Sequence, residues 1–426
     1  MTAVTVFLVF LVLMLVGTPM FTVLGMSTLS FSVFSDVSLS PLPYRVLQSL
    51  NSFTLLAIPF FMIAGQIMAQ GDLAGKLVKL FNAIIGHIRG GLAYVVICLN
   101  IILAGMSGSA NADTAATCSI LLPMMDKEGY ERDWSGALIA ASGTMGPIIP
   151  PSIGFVVYCG ITGVSVGKLF QAGVIPGLLM ALTFFFFVGL YAKKHNLPKK
   201  PRASAKEIWA ALKKSILSLL MPLIILASIF TGFVTATESA VLALVYAFIV
   251  TKFVYKTLTW KMLAKIIKDV MLTVGATMSI FAAAALFGWM MSYARVPQLF
   301  QATVLSLTNN KIVFFIILNV LMLLLGCLME GTAIKLILVP ILLPLLSTFG
   351  MDLIQFGVVM ELNLMIGLIT PPVGMSLFLI TKLTEVPVVR LVKQLLPYML
   401  CILVVLLLVT YIPQLTMWLP TVLSTT

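Results

Sequence analysis

A glycine and proline pattern occurs twice in this 426-residue chain, with its two copies 221 residues apart. The first copy is GPIIPP at 146–151 and the second is GLITPP at 367–372, and each lies inside an apolar run that reads as membrane-spanning helix. The same spacing superimposes further glycines and prolines: Gly105 on Gly326, Pro123 on Pro344, Gly129 on Gly350 and Pro176 on Pro397. The repetition predicts a duplicated fold that breaks a helix at the same place in each half, a pattern typical of secondary transporters.

The composition places the chain in a membrane. Hydrophobic residues make up 61% of it and charged residues 9%, whereas about a quarter of the residues are charged in an average soluble domain. At about 20 residues per span plus loops, the length leaves room for roughly ten to twelve helical segments and for no soluble domain of useful size. We therefore predict an all-α polytopic membrane protein.

The formal net charge of +12 does not indicate a nucleic-acid partner, because the basic residues lie in short loops between apolar runs. Two basic clusters, at 193–214 and 252–268, flank the apolar runs 216–234 and 237–251, which can cross the bilayer out and back. Both clusters then lie on one side, which the positive-inside rule makes the cytoplasm. The expected partner of these charges is the lipid bilayer.

The reactive residues indicate no cofactor and no transition-metal site. All five cysteines lie in apolar runs without a CxxC spacing, and the two histidines are far apart in the chain. The sequence also lacks a phosphate-binding loop and any nucleophile or metalloprotease motif. We therefore expect no enzyme activity, and an ion gradient as the energy source, since a membrane potential supplies about 2.3 kcal/mol per charge per 100 mV.

The segment GMSGSANADT at 105–114 separates two apolar arms, 92–104 and 115–125, each too short to cross a membrane. A polar tip of small residues fits a re-entrant hairpin, because exposed backbone at membrane depth is tolerated only where it lines a cavity. Asp113 should be paired, capped or hydrated, since a carboxylate at a helix centre costs about 2.5 to 3.5 kcal/mol on insertion scales. Oxygen ligands for an alkali cation are offered by Ser107, Ser109 and Asn111. The alternative is that Asn111 and Asp113 only cap the second arm, and both roles can hold together.

The matching segment GCLMEGTAIK at 326–335 again divides two short apolar arms, and we predict a second hairpin there. Glu330 is the candidate polar residue of this tip. We expect Glu330 and Lys335 to be partly neutralised by each other or by solvent. This tip is less polar than the first, which indicates that the two copies have diverged.

The diproline segments are the other candidate binding elements. A proline inside a helix removes a hydrogen bond and clashes with the preceding turn, at a cost of about 3 kcal/mol or more, so two in succession should unwind the helix. The freed carbonyls can coordinate a cation, and the half-helix after each break directs its positive end at an anion. Carbonyls are offered by Ser142, Gly143, Gly146, Gly367, Ile369 and Thr370, and side-chain oxygens by Ser142, Thr144, Ser152, Asn363 and Thr370. The alternative is a simple kink. The scarcity of intramembrane carboxylates favours sodium over a proton relay.

Two basic stretches, 203–214 and 259–270, carry apolar residues on one side and lysines elsewhere, which is typical of interfacial amphipathic helices. The alternative is that they are basic loops after spans. Between them, Thr235 and Glu238 precede an apolar run, and we predict that Glu238 caps the helix that Thr235 opens.

At these motifs the whole chain resembles the large membrane subunit of tripartite ATP-independent periplasmic (TRAP) transporters, the DctM-like family. The resemblance is carried by GMSGSANADTAA from Gly105, GPIIPPS from Gly146, MEGTA from Met329 and NLMIGLITPPVG from Asn363. It implies inverted structural repeats with two re-entrant hairpins and two interrupted helices, which work as an elevator-type transporter.

The resemblance also implies sodium-coupled import of a carboxylated organic solute across the bacterial inner membrane. The solute would be of the sialic acid or C4-dicarboxylate type, with sialic acid slightly preferred. The implied partners are a small four-helix membrane subunit, expected as a separate polypeptide, and a periplasmic substrate-binding protein. The alternatives are a stand-alone ion-coupled anion transporter and, less favoured, a channel or an intramembrane enzyme.

Particular residues follow from the resemblance. The sodium sites would involve Ser107, Gly143, Gly146 and Pro150 in the first half and Gly326, Gly367, Thr370 and Pro371 in the second. The residues expected nearest the substrate are Ser107, Ser109, Asn111, Asp113 and Ser152. Substrate contacts from the second tip are not expected, because it lacks a serine-rich stretch.

The expected domain organisation alternates scaffold and transport segments. The scaffold is expected to comprise helices within 1–91, scaffold and interfacial helices within 171–310, and a C-terminal helix within 386–426. The first part of the transport domain is expected at 92–170, with a hairpin at 92–125 and a broken helix at 136–162. Its second part is expected at 311–385, with a hairpin at 311–346 and a broken helix at 354–381.

Overall fold

The computed structural model describes residues 2–35, 37–71 and 73–424, which fold into α-helices with short connections. No β-strand occurs within these three ranges. The all-α class predicted from the composition is confirmed.

Ten helices form the first part of the described chain: α1 Thr2–Leu15, α2 Met20–Ser35, α3 Leu42–Leu50, α4 Ala57–Gln70, α5 Leu73–Ile85, α6 Gly91–Ser107, α7 Ala110–Lys127, α8 Arg132–Gly143, α9 Ile153–Thr162 and α10 Val166–Lys194. Ten more follow: α11 Ala205–Phe230, α12 Ala236–Ile249, α13 Trp260–Tyr293, α14 Val296–Leu307, α15 Lys311–Gly326, α16 Gly331–Phe349, α17 Leu353–Leu368, α18 Met375–Thr384, α19 Val388–Tyr411 and α20 Gln414–Ser424. A 3-10 turn at Thr54–Leu56 precedes α4, and a π-helical turn at Val250–Val254 follows α12.

Six helices of the described chain are long and apolar enough to cross a membrane. They are α10, α11, α12 together with its π-helical turn, α13, α16 and α19. A seventh span arises if α3 and the segment Thr54–Gln70, which meet at a bend of 56°, are counted as one. The chain is therefore a multi-pass membrane protein, and its shorter apolar helices need partners to reach across the bilayer.

Both diproline segments lie between helices. Residues 144–152 separate α8 from α9, and residues 369–374 separate α17 from α18. The peptide bonds Pro150–Pro151 and Pro371–Pro372 are both cis. A proline cannot donate the backbone hydrogen bond that a continuing helix needs, so each pair stands in an unwound segment.

The two expected hairpin regions each contain a pair of helices joined by a short tip. Gly108 and Ser109 alone separate α6 from α7, whereas residues 327–330 separate α15 from α16. Gly108 has a φ of +62°, a left-handed conformation that lets the chain turn after α6. The two helices of each pair pack against each other. Their re-entrant placement, the inverted relation of the halves and the elevator motion stay predictions.

Helices from the two halves pack against one another. The helix that follows the second diproline break, α18, lies against α7 and α8. The helix that follows the first break, α9, lies against α16 and α17. The hydroxyl of Tyr158 in α9 donates a hydrogen bond of 2.6 Å to the carbonyl of Leu353 at the start of α17. This crossed packing brings the tips of both hairpins close to both helix breaks.

The two basic amphipathic stretches are not separate helices, which corrects the prediction made for them. Residues 205–214 form the first turns of α11 and residues 260–270 those of α13, and both helices continue into the apolar residues that follow. Neither junction contains glycine or proline, so nothing in the local sequence ends the helical hydrogen bonding there.

The predicted cap of α12 is confirmed. The Thr235 hydroxyl accepts a hydrogen bond of 3.3 Å from the Glu238 amide, and the Glu238 carboxylate accepts one of 2.7 Å from the Thr235 amide. Ser204 and Glu207 form the same reciprocal arrangement at the start of α11. Each pair satisfies two amide groups that a helix N-terminus otherwise leaves without partners.

Candidate functional site

A cavity of about 420 Å³ lies where the tips of both hairpins meet both helix breaks. Ser109 and Asn111 from the first tip and Glu330 and Thr332 from the second stand in its wall. The breaks contribute Pro147, Val373 and Gly374, and α4 and α13 contribute Ile58, Met62, Thr273, Ala276, Thr277 and Ile280. A concave site of this size with a few convergent polar groups is the candidate site for a small polar solute.

A second cavity of about 620 Å³ is larger, but every residue in its wall is apolar. It lies among α1, α2, α13, α14, α15 and α16. Because a polar solute would lose its hydrogen bonds to water there without replacement, the smaller cavity is the better candidate for a polar ligand.

The first hairpin tip is organised around Asp113, which is 2% exposed. The Ser107 hydroxyl donates a hydrogen bond of 2.5 Å to Oδ1 of Asp113 and accepts one of 3.1 Å from the Ser109 amide. The predicted pairing of Asp113 is therefore confirmed. Its other oxygen, Oδ2, is buried and has no hydrogen-bond partner within the described residues.

The end of α8 packs directly on α7 beside this carboxylate. A Cβ atom placed on Gly146 would lie 2.6 Å from Oδ2 of Asp113, and one placed on Gly143 would lie 2.1 Å from Oγ1 of Thr114. The hydroxyls of Thr114 and Ser142 are buried and, like Oδ2, find no hydrogen-bond partner in the described chain. The structure thus brings the predicted residues Ser107, Gly143 and Gly146 together around oxygen atoms that lack partners.

In the second half, backbone atoms of the hairpin tip are in direct contact with backbone atoms of the helix break. A Cβ atom on Gly367 would lie 2.4 Å from the carbonyl carbon of Gly326, so only glycine allows this approach. The amide of Val373 donates a hydrogen bond of 3.1 Å to the Cys327 carbonyl, which fixes the tip on the break. Gly326 and Gly367 are therefore in contact, as a shared site requires.

The remaining residues predicted for the second sodium site lie in the same unwound segment. The Thr370 hydroxyl donates a hydrogen bond of 2.5 Å to the Ile366 carbonyl, so its oxygen keeps its lone pairs for another ligand. Pro371 follows directly. In the first half, the carbonyl of Pro150 would lie 3.8 Å from a Cβ atom on Gly105 of α6, so that break also meets its hairpin.

Ser152, predicted to lie near the substrate, serves as the N-cap of α9. Its hydroxyl accepts a hydrogen bond of 3.1 Å from the Phe155 amide and donates one of 2.5 Å to the Pro147 carbonyl. The side chain is fully buried, and it is not among the residues of the cavity wall. Its hydroxyl is thus engaged in holding the first break.

Asn111 connects the two halves at the cavity. The Ser376 hydroxyl, in the first turn of α18, donates a hydrogen bond of 2.5 Å to Oδ1 of Asn111 in the first turn of α7. The N-caps of these helices, Ser109 and Gly374, make no side-chain hydrogen bond to the helix amides. Two helix N-termini, one from each half, therefore lie in the cavity wall, and neither is capped by the side chain of its N-cap residue.

Asn363, proposed as an oxygen ligand, lies behind the cavity. Its amide nitrogen donates hydrogen bonds of 2.8 Å to Oδ1 of Asn319 and to the Val359 carbonyl. Asn319 in turn donates one of 3.3 Å to the Thr410 hydroxyl of α19. The Asn363 oxygen is buried without a partner among the residues described, as is that of Ser142, its counterpart at the 221-residue spacing.

The predicted neutralisation of Glu330 and Lys335 by each other is wrong, whereas Glu330 is exposed to solvent, as the other alternative had it. Glu330 caps α16 by accepting hydrogen bonds of 2.9 and 3.2 Å from the amides of Thr332 and Ala333. Lys335 instead pairs with Glu361 of α17, at 2.6 Å. The helical turn between Glu330 and Lys335 points their side chains to different neighbours.

Glu361 is a charged wall residue that the sequence analysis did not single out. It stands in a long apolar run, 354–369, and an ionisable residue in such a run is by default a candidate for function. This signal was present in the sequence. The pairing of Glu361 with Lys335 could not be read from the sequence, because Lys335 belongs to another helix.

Comparisons with known proteins place the chain among characterised transport components. A family model described as the tripartite ATP-independent periplasmic transporter, DctM component, matches residues 7–415. Its match includes both hairpin tips and both diproline breaks.

Several curated proteins are similar over most of their length. The chain is 38% identical to the C4-dicarboxylate TRAP transporter large permease protein DctM of Pseudomonas aeruginosa, over 93% of each chain. It is 36% identical to the sialic acid TRAP transporter large permease protein SiaM of Vibrio cholerae, over 88% of each. It is 37% identical to the 2,3-diketo-L-gulonate TRAP transporter large permease protein YiaN of Escherichia coli, over 86% of each. All three are named as permeases and none as an enzyme.

Solved structures share the fold at low sequence identity. The YdaH transporter of Alcanivorax borkumensis aligns with a TM-score of 0.62 at 16% identity, covering 87% of each chain. MtrF of Neisseria gonorrhoeae aligns with a TM-score of 0.59 at 15% identity, covering 89% of this chain and 85% of that one. At such identities the likeness concerns the fold alone.

Proposed function

This chain belongs to the DctM family, the large permease components of TRAP transporters, and from that membership we propose that it imports a carboxylated organic solute by coupling to sodium. The observation that carries the proposal is the polar cavity at the meeting point of two hairpin tips and two helix breaks. The solute binds in this cavity, and sodium binds where buried oxygen atoms beside it lack partners.

The carboxylate of the solute is attracted by helix N-termini. The first turns of α7 and α18 open on the cavity without side-chain caps, and their amides carry the positive end of the helix dipole. The residues that line the cavity include no lysine or arginine, so these amides are the positive groups that the wall itself presents to the solute. Asn111 and Ser376, hydrogen-bonded to each other, hold the two N-termini at a fixed distance.

The first sodium site lies beside Asp113. A buried carboxylate oxygen without a partner is costly, and a cation on it removes that cost. Hard oxygen ligands come from the carboxylate and from the hydroxyls of Thr114 and Ser142. Carbonyls of Gly143, at the end of α8, and of the unwound segment 144–150 complete the set. Ser107 orients Asp113 through its hydrogen bond.

The second sodium site uses the contact between the second tip and the second break. Its ligands are backbone carbonyls of Gly326, Gly367 and Pro371 together with the Thr370 hydroxyl. The support is the close approach of Gly326 and Gly367 and the unwound backbone of 369–374, which leaves carbonyls without helical partners.

The two hairpins and the two broken helices move as one unit against the remaining helices, in an elevator motion. We include α10 and α19 in this unit, although the sequence pattern assigned them to the scaffold. Trp134 of α8 stacks on Tyr191 of α10 with 4.3 Å between ring centroids, and Gln355 of α17 donates hydrogen bonds of 3.0 Å to the carbonyls of Val409 and Thr410 in α19. α20 packs on α10 and α17 and therefore belongs to the moving unit, and the scaffold consists of α1 to α5 and α11 to α14.

The setting is the bacterial inner membrane, with the basic starts of α11 and α13 on the cytoplasmic side. The two helices α11 and α12 pack together as an out-and-back pair, so their basic ends share one face. The working complex also contains a small membrane subunit and a periplasmic binding protein that delivers the solute, which the word tripartite in the family description supports.

The solute is an acid of modest size. The relatives are named for C4-dicarboxylates, sialic acid and 2,3-diketo-L-gulonate, which share a carboxylate. A cavity of about 420 Å³ has room for each of these classes.

The test is uptake into proteoliposomes that contain the chain and its small subunit. Binding protein loaded with each radiolabelled acid is added outside, with or without an inward sodium gradient. We expect accumulation only when the binding protein and the gradient are both present. Equal accumulation without a gradient would disprove sodium coupling, and uptake without binding protein would favour a stand-alone anion transporter instead.

A further inference from the structure

Lys335 and Glu361 form an ion pair inside the protein that the proposed sodium and carboxylate sites do not use. Nζ of Lys335 lies 2.6 Å from Oε2 of Glu361, and the two side chains are 4% and 2% exposed. Lys335 is on α16, the second helix of the second hairpin, and Glu361 is in the middle of α17. The pair is thus enclosed between two helices of the proposed moving unit.

The pair reaches the wall of the polar cavity through Glu361. Gly154 of α9 also lines that wall, and a Cβ atom on Gly154 would lie 2.3 Å from Oε1 of Glu361. The carboxylate therefore touches the backbone of the other half at the edge of the cavity. Lys335 holds Oε2, which leaves Oε1 as the oxygen that a bound solute can reach.

Stability alone does not account for this pair. Taking two ions out of water costs about as much as their attraction returns, and well-packed apolar residues in their place are often as stable or more so. The neighbours of Glu361 along α17, Met360 and Leu362, are fully buried apolar residues. A buried ion pair whose carboxylate stands in the wall of a ligand cavity points to recognition of a polar group.

The other carboxylate in the wall, that of Glu330, already serves as a helix cap. Oε2 of Glu330 accepts hydrogen bonds from the amides of Thr332 and Ala333, and Oε1 accepts one of 2.8 Å from the Thr332 hydroxyl. Its charge is thus committed to the N-terminus of α16. Oε1 of Glu361, by contrast, accepts no hydrogen bond from the described residues, because Lys335 pairs with Oε2.

We propose that the Lys335–Glu361 pair selects solutes that carry a hydrogen-bond donor, a hydroxyl or an ammonium group, in addition to their carboxylate. The inference rests on the proposed function and specifies the solute of that same cavity. Oε1 of Glu361 accepts the hydrogen bond of that donor, and Lys335 holds the carboxylate in place through Oε2. A solute without the donor leaves this oxygen desolvated and unpaired, and sites built for a hydrogen bond reject such analogues strongly.

The test measures solute binding to the purified complex of the chain with its small subunit, in sodium. The probes are succinate, L-malate and L-aspartate, which share a four-carbon dicarboxylate and differ by no donor, a hydroxyl or an ammonium group. Hexanoate and gluconate form a second series of longer acids. We expect at least one donor-bearing acid to bind the wild-type complex about tenfold or more tighter than its unsubstituted counterpart.

The decisive variant is Lys335→Leu with Glu361→Val, which removes both charges together and avoids a buried unpaired ion. We expect this double variant to bind substituted and unsubstituted acids within about twofold of each other, with a melting temperature close to that of the wild type. Lys200→Ala, which breaks the surface pair with Glu128, is the matched control and should keep the wild-type preference.

Lys335→Met with Glu361→Gln gives a second readout if the first variant fails to fold. The introduced glutamine side chain keeps an acceptor without charge, so a preference for the hydroxyl should persist and a preference for the ammonium should disappear. Sodium-dependent binding of all acids with no preference in the wild type would overturn the inference and leave the proposed function intact. A preference that survives in the double apolar variant would overturn it equally. Failure of these acids, and of sialic acid and 2,3-diketo-L-gulonate tested beside them, to bind in sodium would overturn the proposed function.

Discussion

Asp113 is the side chain on which the proposed sodium coupling depends most, because one of its oxygens is held by Ser107 and the other is buried without a partner in the described chain. Replacement by asparagine keeps the size and the hydrogen bond from Ser107 but removes the charge. We expect Asp113→Asn to raise the sodium concentration for half-maximal uptake about tenfold or more, which corresponds to about 1.4 kcal/mol or more of binding free energy.

The matched control for this change is Asp126→Asn at the end of the same helix. Asp126 pairs with Arg132 at 3.6 Å on the surface, and such pairs contribute little. Sodium dependence should be unchanged in this variant. If both variants had the same sodium dependence as the wild type, Asp113 would have no part in coupling.

Replacement of Ser152 tests whether its hydroxyl only caps α9 or also binds the solute. Loss of an N-cap usually costs about 1 kcal/mol, so Ser152→Ala should lower the melting temperature of the complex by a few degrees and leave the apparent affinity for the solute unchanged. Ser119→Ala, an exposed serine that bonds its own helix, should change neither quantity. A drop in solute affinity at unchanged stability would place Ser152 in the binding site.

At the scale of elements, the contact between the end of α15 and the end of α17 holds the second hairpin on the second break. A methyl group on Gly367 would stand 2.4 Å from backbone of Gly326. Overpacking of this kind costs about 1 to 3 kcal/mol, so Gly367→Ala should lower the unfolding free energy by that amount and abolish most sodium-driven uptake.

The control for this element is Gly275→Ala on α13, where a Cβ atom meets no atom within 4 Å. Alanine is the better helix former by about 1 kcal/mol, so this variant should be as stable as the wild type or slightly more stable, with normal uptake. Uptake by Gly367→Ala at the wild-type rate would show that the hairpin and the break need not touch.

At the scale of the whole molecule, the proposed motion requires α16 to slide past α14. The Gln301 side chain of α14 donates a hydrogen bond of 3.1 Å to the Thr348 hydroxyl of α16. In a chain without its native cysteines, a reducible cross-linker between Gln301→Cys and Thr348→Cys should stop uptake, and reduction should restore it.

A cross-link inside the moving unit provides the comparison. The thiol of Cys401 in α19 lies 3.9 Å from the Thr183 carbonyl of α10, so Thr183→Cys with Cys401 retained can be linked in the same way. We expect this link to leave uptake largely intact. Uptake that persisted in the α14–α16 link would contradict an elevator motion between these units.

The sequence by itself determined the helical membrane class and the positions of the four helix interruptions. These are local properties, because apolar length, proline and glycine act through the backbone hydrogen bonding of their own segment. The residues Ser107, Asp113, Gly146, Gly326 and Gly367 could be selected for the same reason, as polar or small residues at such interruptions. The cap formed by Thr235 and Glu238 was also readable, since its partners are three residues apart.

Only the tertiary structure decided which of these residues meet and what they bond. In the structure Ser152 is the N-cap of α9, Asn111 is hydrogen-bonded to Ser376, and Lys335 forms an ion pair with Glu361. The tertiary structure also made the basic stretches at 203–214 and 259–270 parts of longer helices. A side chain's partner across helices depends on how those helices pack, which is a sum of many weak contacts distributed over the chain, and no single segment of sequence encodes that sum.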